Sequence, residues 1–279
     1  MLIPRYWARS EKAANPSGRL LLQTWGWSDA SEIDAMRLAQ QRLRTAVSRY
    51  RQPDDAPRAW QYYANGERPV REEILDPMPA GVTTDRAVVT RNRFGVAVLN
   101  TANLLFIDVD LPPSRGGGPL GWLRRRAESP QQRLDRLIGD LEKVGDTTFW
   151  VYRTAAGFRA LAVDREFDPV SSHTRALLDG VGADPLFARL CAAQACFRAR
   201  LSPKPWRCGA GNPRGEHPRT PAQQSTFRQW LADYESRASA FATCARVAAV
   251  GRGTMLESLA PLVQFHEEAT GARSDRPLA

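Results

Sequence analysis

The stretch Leu104-Leu105-Phe106-Ile107-Asp108-Val109-Asp110 decides how the chain is read. Alternate side chains of an extended strand share a face, so Leu104, Phe106, Asp108 and Asp110 lie on one side. Leu105, Ile107, Val109 and Leu111 make up the other side and bring no polar atom. The pattern predicts a buried strand whose C-terminal end presents two carboxylates, about 7 Å apart at about 3.4 Å per residue. Two carboxylates at the mouth of an apolar strand repel each other, so a cation belongs between them. A hard divalent ion, Mg²⁺ or Mn²⁺, takes oxygen ligands and completes its shell with water and phosphate. The other reading has the acids capping a helix or pairing with arginine, and D-x-D alone does not separate the two.

Working outward, 279 residues suffice for one large domain or two small ones with a real core. Apolar residues at 43% and charged residues at 25% are ordinary for a soluble globular chain. No apolar run approaches the ~20 residues of a membrane span and no signal peptide opens the chain. A cytoplasmic protein with no membrane partner is expected. Cys191, Cys196, Cys208 and Cys244 are too few and too irregular for a disulfide framework, so reduced thiols are expected. The net charge of +9 favours an anionic partner, nucleic acid or nucleotide. Nearly all of it is arginine, a planar fork suited to phosphate, although a GC-rich genome gives the same skew.

Leu20 to Trp25 reads as a strand, and Ser28-Asp29-Ala30-Ser31-Glu32 as the capped start of a helix. Ile33, Met36, Leu43, Val47 and Tyr50 continue it at helical spacing. Trp60, Tyr62 and Tyr63 cluster beside the Asn65-Gly66 turn, either as a stacking platform or as core. Ala87–Thr90 and Phe94–Leu99 read as a hairpin, and the D-x-D strand is expected to pair antiparallel with Val96–Leu99. The Pro/Gly-rich stretch Leu111 to Pro119 lacks the Gly-Lys-Ser/Thr of a P-loop and reads as a crossover or lid. Arg124-Arg125-Arg126 either touch phosphates or face water. Ser129-Pro130 opens a helix with Leu134, Leu137, Ile138 and Leu141 as its apolar stripe, ending near Gly145.

Phe149–Thr154 and Phe158–Val163 flank Ala155-Ala156-Gly157. A three-residue turn with a left-handed glycine last pairs Thr154 with Phe158, and Arg153 with Arg159 on one face. Like charges opposed in that way need an anion between them. A two-residue turn pairs Arg153 with Phe158 instead. Residues 179–200 read as helix in two pieces. Ser202 to Gly209, with Lys204, Trp206 and Arg207, reads as a loop that wraps a nucleic-acid strand or as a plain basic surface loop. The remainder reads as helical, with a disordered tail after Gly271. Zinc at Cys191, Cys196, Cys208 and His217 is disfavoured, because Cys191 and Cys196 sit about 140° apart around a helix. No serine or cysteine nucleophile stands in a triad setting among His173, His217 and His266.

A D-x-D strand, a crossover helix and a glycine-bearing hairpin followed by a basic residue stand in this order. The chain thereby resembles the archaeo-eukaryotic primase superfamily, including the primase-polymerases of plasmids and phages. Phe106-Ile107-Asp108-Val109-Asp110 looks like the family's metal-binding motif. Arg153-Thr154-Ala155-Ala156-Gly157-Phe158-Arg159 sits where its phosphate-binding hairpin would be, with Arg159 in place of histidine. The likeness covers about residues 87–165. It implies an α+β fold: an antiparallel or mixed sheet of RRM-like topology packed by helices, with a helical C-terminal part. Residues 1–205 would form the core and 206–279 an extension, in one compact unit. It further implies metal-dependent nucleotidyl transfer, with Asp108, Asp110 and Asp164 (Asp168 or Asp184 in reserve) holding two Mg²⁺ or Mn²⁺ ions. Arg153, Thr154, Gly157 and Arg159 would hold a nucleoside triphosphate, and Lys204, Trp206 and Arg207 single-stranded DNA or RNA. A phosphodiesterase or nuclease, or a non-catalytic replication accessory with a relict site, uses the same residues. A third acid beside the Asp pair separates the enzyme from the relict.

Overall fold

The computed structural model describes residues 1–50, 69–75, 78, 81–111 and 129–279. The Trp60–Tyr63 cluster, the Asn65-Gly66 turn, residues 112–119 and Arg124–Arg126 lie outside the described residues. In chain order the elements are β1 (Tyr6–Arg9), β2 (Ala13–Ala14), β3 (Leu21–Leu22), β4 (Trp25–Ser28), α1 (Glu32–Arg49) and β5 (Glu73–Leu75). β6 (Ala87–Arg91), β7 (Ala97–Thr101), β8 (Phe106–Asp110), α2 (Pro130–Glu142), β9 (Phe149–Thr154) and β10 (Gly157–Ala162) follow. Then come α3 (Ser172–Gly180), α4 (Pro185–Gln194), β11 (Phe197–Arg200), α5 (Pro221–Ala238), β12 (Cys244–Val250) and α6 (Ala260–Thr270). The fold is α+β with antiparallel sheets.

The helices start where capping chemistry places them. The Ser31 hydroxyl accepts from the Asp34 amide at the head of α1 (3.1 Å). Ser129 and Gln132 close a reciprocal capping box at α2, with Pro130 in its first turn. α1 lies on β4 at Gly26, where a side chain would run into the backbone of Ala35 and Ala39. Leu137 and Leu141 of α2 join a core shared by both large sheets, with Leu99, Phe106, Ile107, Phe149, Phe197 and Leu262.

The D-x-D strand is buried as its alternation predicts, but its neighbour differs from the expected one. Among the described residues the sheet order is β12-β9-β10-β8, and a second sheet runs β11-β7-β6-β5. β7 does not pair with β8, because β6 and β11 already occupy both its edges. The Thr101 hydroxyl donates to the Leu104 carbonyl (2.8 Å) at the corner where the chain leaves one sheet for the other. β8 pairs with β10 instead, Asp108 opposite Arg159 and Asp110 opposite Gly157.

Three expectations after residue 190 are corrected. α4 ends at Ala195, a left-handed residue (φ 49°), and Phe197–Arg200 is a strand, not the end of a helix. Cys244–Val250 is the edge strand beside β9, so the C-terminal part supplies a strand to the sheet that holds the D-x-D motif. The tail after Gly271 is fastened: the Ala242 amide donates to Pro277, the Ala279 amide to Ala242, and Arg276 to the Ser239 carbonyl. Among the described residues no helix is long and apolar enough to cross a membrane.

Candidate functional site

The hairpin between β9 and β10 has a two-residue turn, Ala155-Ala156, with Gly157 opposite Thr154. Arg153 therefore faces Phe158, its guanidinium 4.8 Å from the ring, and lies on the opposite face of the sheet from Arg159. The opposed arginine pair expected from the longer turn does not form. Gly157 is absent from the left-handed region. It is needed for close approach, since a side chain there would collide with the Val109 carbonyl on β8.

Arg159 points under α6 and its side chain is 1% exposed. Its Nε donates to Asp108 Oδ1 at 2.8 Å and its Nη2 to Oδ2 at 3.2 Å, a bidentate fork. Its Nη1 donates to the Arg200 carbonyl (3.1 Å) and lies 3.3 Å from His266 Nε2. Donation from arginine makes Nε2 the acceptor of that ring and leaves the proton on Nδ1. Burial, then the Arg159 charge, hold the His266 pKa well below the usual histidine range. Burial alone would lower Arg159; Asp108 more than restores it, so its pKa is raised. The same face continues through Tyr152, whose hydroxyl donates to Glu267 (3.0 Å), and Glu267 pairs with Arg246 and Arg273. Of the two readings of the D-x-D motif, Asp108 follows the arginine one.

Both Asp108 oxygens face Arg159, and the carboxylates named as third ligand are engaged elsewhere. Asp164 lies past the far end of β10, on the order of 15 Å from Asp108 by strand rise. There its Oδ2 accepts from the Thr148 amide (2.8 Å) and its Oδ1 lies 3.6 Å from Arg165 Nε. Asp168 accepts from the Val170 amide, and Asp184 caps α4 through the Leu186 amide. Asp184 does approach Asp108, but through its backbone N–H to the Asp108 carbonyl (3.4 Å). Among the described residues no three His, Cys, Asp or Glu side chains are grouped to hold a metal. Among the described residues Asp108 and Asp110 therefore stand without the third acid that separates the enzyme from the relict.

Asp110 is exposed and makes no ion pair among the described residues. Arg200 at the end of β11 and Lys204 both feel its charge, and both feel Arg207 of the 3₁₀ turn Pro205–Arg207. Among the described residues the Arg200 guanidinium has no hydrogen-bond acceptor. Its pKa is lowered, chiefly by burial, against the opposing pull of Asp108. Burial, then Arg200 and Arg207, lower Lys204 as well. Trp206 is 50% exposed in the same turn. Arg200, Lys204 and Arg207 thus repel one another within electrostatic reach of two carboxylates, one of which is already neutralised by Arg159.

No family model, curated protein or solved structure matches the chain. The structure brings together Asp108, Arg159, Asp110, Lys204 and Arg207, and separates Asp164 and Arg153 from them. Reading 179–200 as helix hid Arg200. The alternation Phe197-Arg198-Ala199-Arg200, apolar then cationic, was the strand signal that marked it. His266 and Glu267 carried no signal, since their roles depend on α6 lying across the sheet.

Proposed function

We propose that the protein binds single-stranded nucleic acid through its phosphates at the mouth formed by β8 and β11. In this reading it is a non-catalytic relation of the primase-type core, with Asp108 serving the fold. The observation that carries the reading is that the Arg200 guanidinium has no hydrogen-bond acceptor among the described residues, while Lys204 and Arg207 are near enough for the charges to repel one another. Crowded, partly desolvated cations are costly unless an anion completes them, and phosphate suits arginine's fork. The net charge of +9 points the same way. The RRM-like, primase-type topology belongs to this proposal; β10 lies between β8 and β9, which supports a split β-α-β unit.

Binding of a labelled single-stranded oligonucleotide, measured against salt, tests it. The slope of log affinity on log salt is expected to shrink by about 0.7 for each of Arg200→Ala, Lys204→Ala and Arg207→Ala. Binding that is absent at low salt, or indifferent to salt, overturns the proposal. A second reading, metal-dependent nucleotidyl transfer from a nucleoside triphosphate, is favoured by exposed Asp110 and by Asp108, still 29% exposed, beside the same cations. Calorimetric Mn²⁺ binding lost in Asp110→Asn, together with primer extension by the wild type, would establish that reading in place of the first.

A further inference from the structure

Two turns that are far apart in sequence meet beside the three cations. The β6–β7 connection carries Arg93 and Phe94, and the 3₁₀ turn after β11 carries Trp206 next to Lys204. The Phe94 and Trp206 rings stand edge to face, 5.6 Å apart at 82°. Arg93 lies 4.7 Å from the Phe94 ring, and the Lys204 ammonium 5.4 Å from the Trp206 ring. The order is cation, ring, ring, cation.

Both turns are rigid mounts. The Asn92 side chain accepts from the Phe94 and Val96 amides (2.9 and 3.2 Å). Gly95, left-handed at φ 78°, leaves room only for the Trp230 ring of α5. On the other side Pro205 is buried, and its carbonyl accepts from the Ala210 amide (2.9 Å). Such anchoring would serve a core aromatic equally well, but Trp206 is half exposed, and a tryptophan left in water contributes little to the core. Among the described residues nine large apolar side chains are held at the surface, and Trp206 is the one tryptophan of them.

We infer that Trp206 and Phe94 form a base-stacking platform that selects single strands over duplex. The inference rests on the phosphate-binding reading above and deepens it. A ring accepts any base by its π-face, so recognition is tolerant of sequence, but the base must be unpaired and unstacked to reach it. Arg200, Lys204 and Arg207 hold the backbone, while Trp206, one residue from Arg207, receives the base.

The test uses the whole protein with three probes of equal phosphate number: oligo-dT, the same backbone with abasic sites, and a duplex. Wild type is expected to prefer oligo-dT over both others. Trp206→Ala is expected to lose roughly 5- to 150-fold in affinity for oligo-dT while its weaker affinity for the abasic strand is unchanged. Trp206→Phe should restore most of the loss, which a misfolded variant would not allow. Equal binding of oligo-dT by wild type and Trp206→Ala overturns the platform and leaves the phosphate reading standing. Equal affinity for oligo-dT and the abasic strand in wild type does the same. Wild type that binds none of the probes at low salt overturns both.

Discussion

Two arginine sites share the end of β8, and they differ in what surrounds the charge. On the covered side Arg159 is sealed under α6, forked onto Asp108, with the Arg200 carbonyl and His266 at its Nη1. On the open side Arg200, Lys204 and Arg207 repel one another near the exposed Asp110, and Trp206 of the same turn is half exposed. A buried charge must be completed from within the chain, because leaving it unpaired costs several kcal/mol. A charge at the rim can leave its partner to a ligand. The covered arginine is therefore part of the structure, and on the proposed reading the partly buried Arg200, with Lys204 and Arg207, is completed by a phosphate.

The comparison is tested most severely by Arg159→Ala. It empties the space under α6 and leaves the partly buried Asp108 without its partner, and is expected to cost about 3–5 kcal/mol in urea unfolding. Replacing both partners, Arg159→Met with Asp108→Val, should recover most of that loss, since two apolar groups leave no buried charge. A single variant as stable as wild type would break the distinction between the two sides.

pH sharpens it next. Folded His266 has a pKa depressed below that of the unfolded chain, so the unfolded state takes up the proton first. Stability is full above about pH 6.5 and falls as pH drops below it, before the carboxylates titrate. His266→Gln keeps an acceptor for Arg159 and should flatten the stability profile between about pH 5 and 6.5. His217, also lowered by burial, leaves a residual slope. An unchanged profile in His266→Gln would mean that the buried ring does not govern this face.

Smaller effects separate the remaining arginines. Arg153→Ala removes only a ring contact with Phe158 and should cost about 0.5–1 kcal/mol. Arg207→Ala should leave the melting curve within about 0.5 kcal/mol of wild type while the salt dependence of nucleic-acid binding weakens. A clear loss of stability in Arg207→Ala would place it with Arg159 as a structural residue.

Much of the local structure was legible. The alternation in 104–111 marks a buried strand, and the Ser31 and Ser129 caps mark two helix starts, because these signals depend on near neighbours in the chain. Cys244–Val250 was not legible. Three alanines in seven residues favour helix, and only the β9 edge waiting beside it makes the segment a strand. The hairpin register was half legible, since the turn length sets which faces Arg153 and Arg159 share and the sequence allows two lengths.

The sequence by itself determined that two carboxylates stand at the end of an apolar strand, that the chain is strongly cationic, and that a hairpin carrying arginines follows. It could not determine what neutralises Asp108. That was decided by the pairing of β8 with β10, which sets Arg159 opposite Asp108, and by α6, which closes over the pair. Strand partners and covering helices are chosen by burial summed over the whole chain, so residues 51 positions apart become one ion pair without any local trace of it.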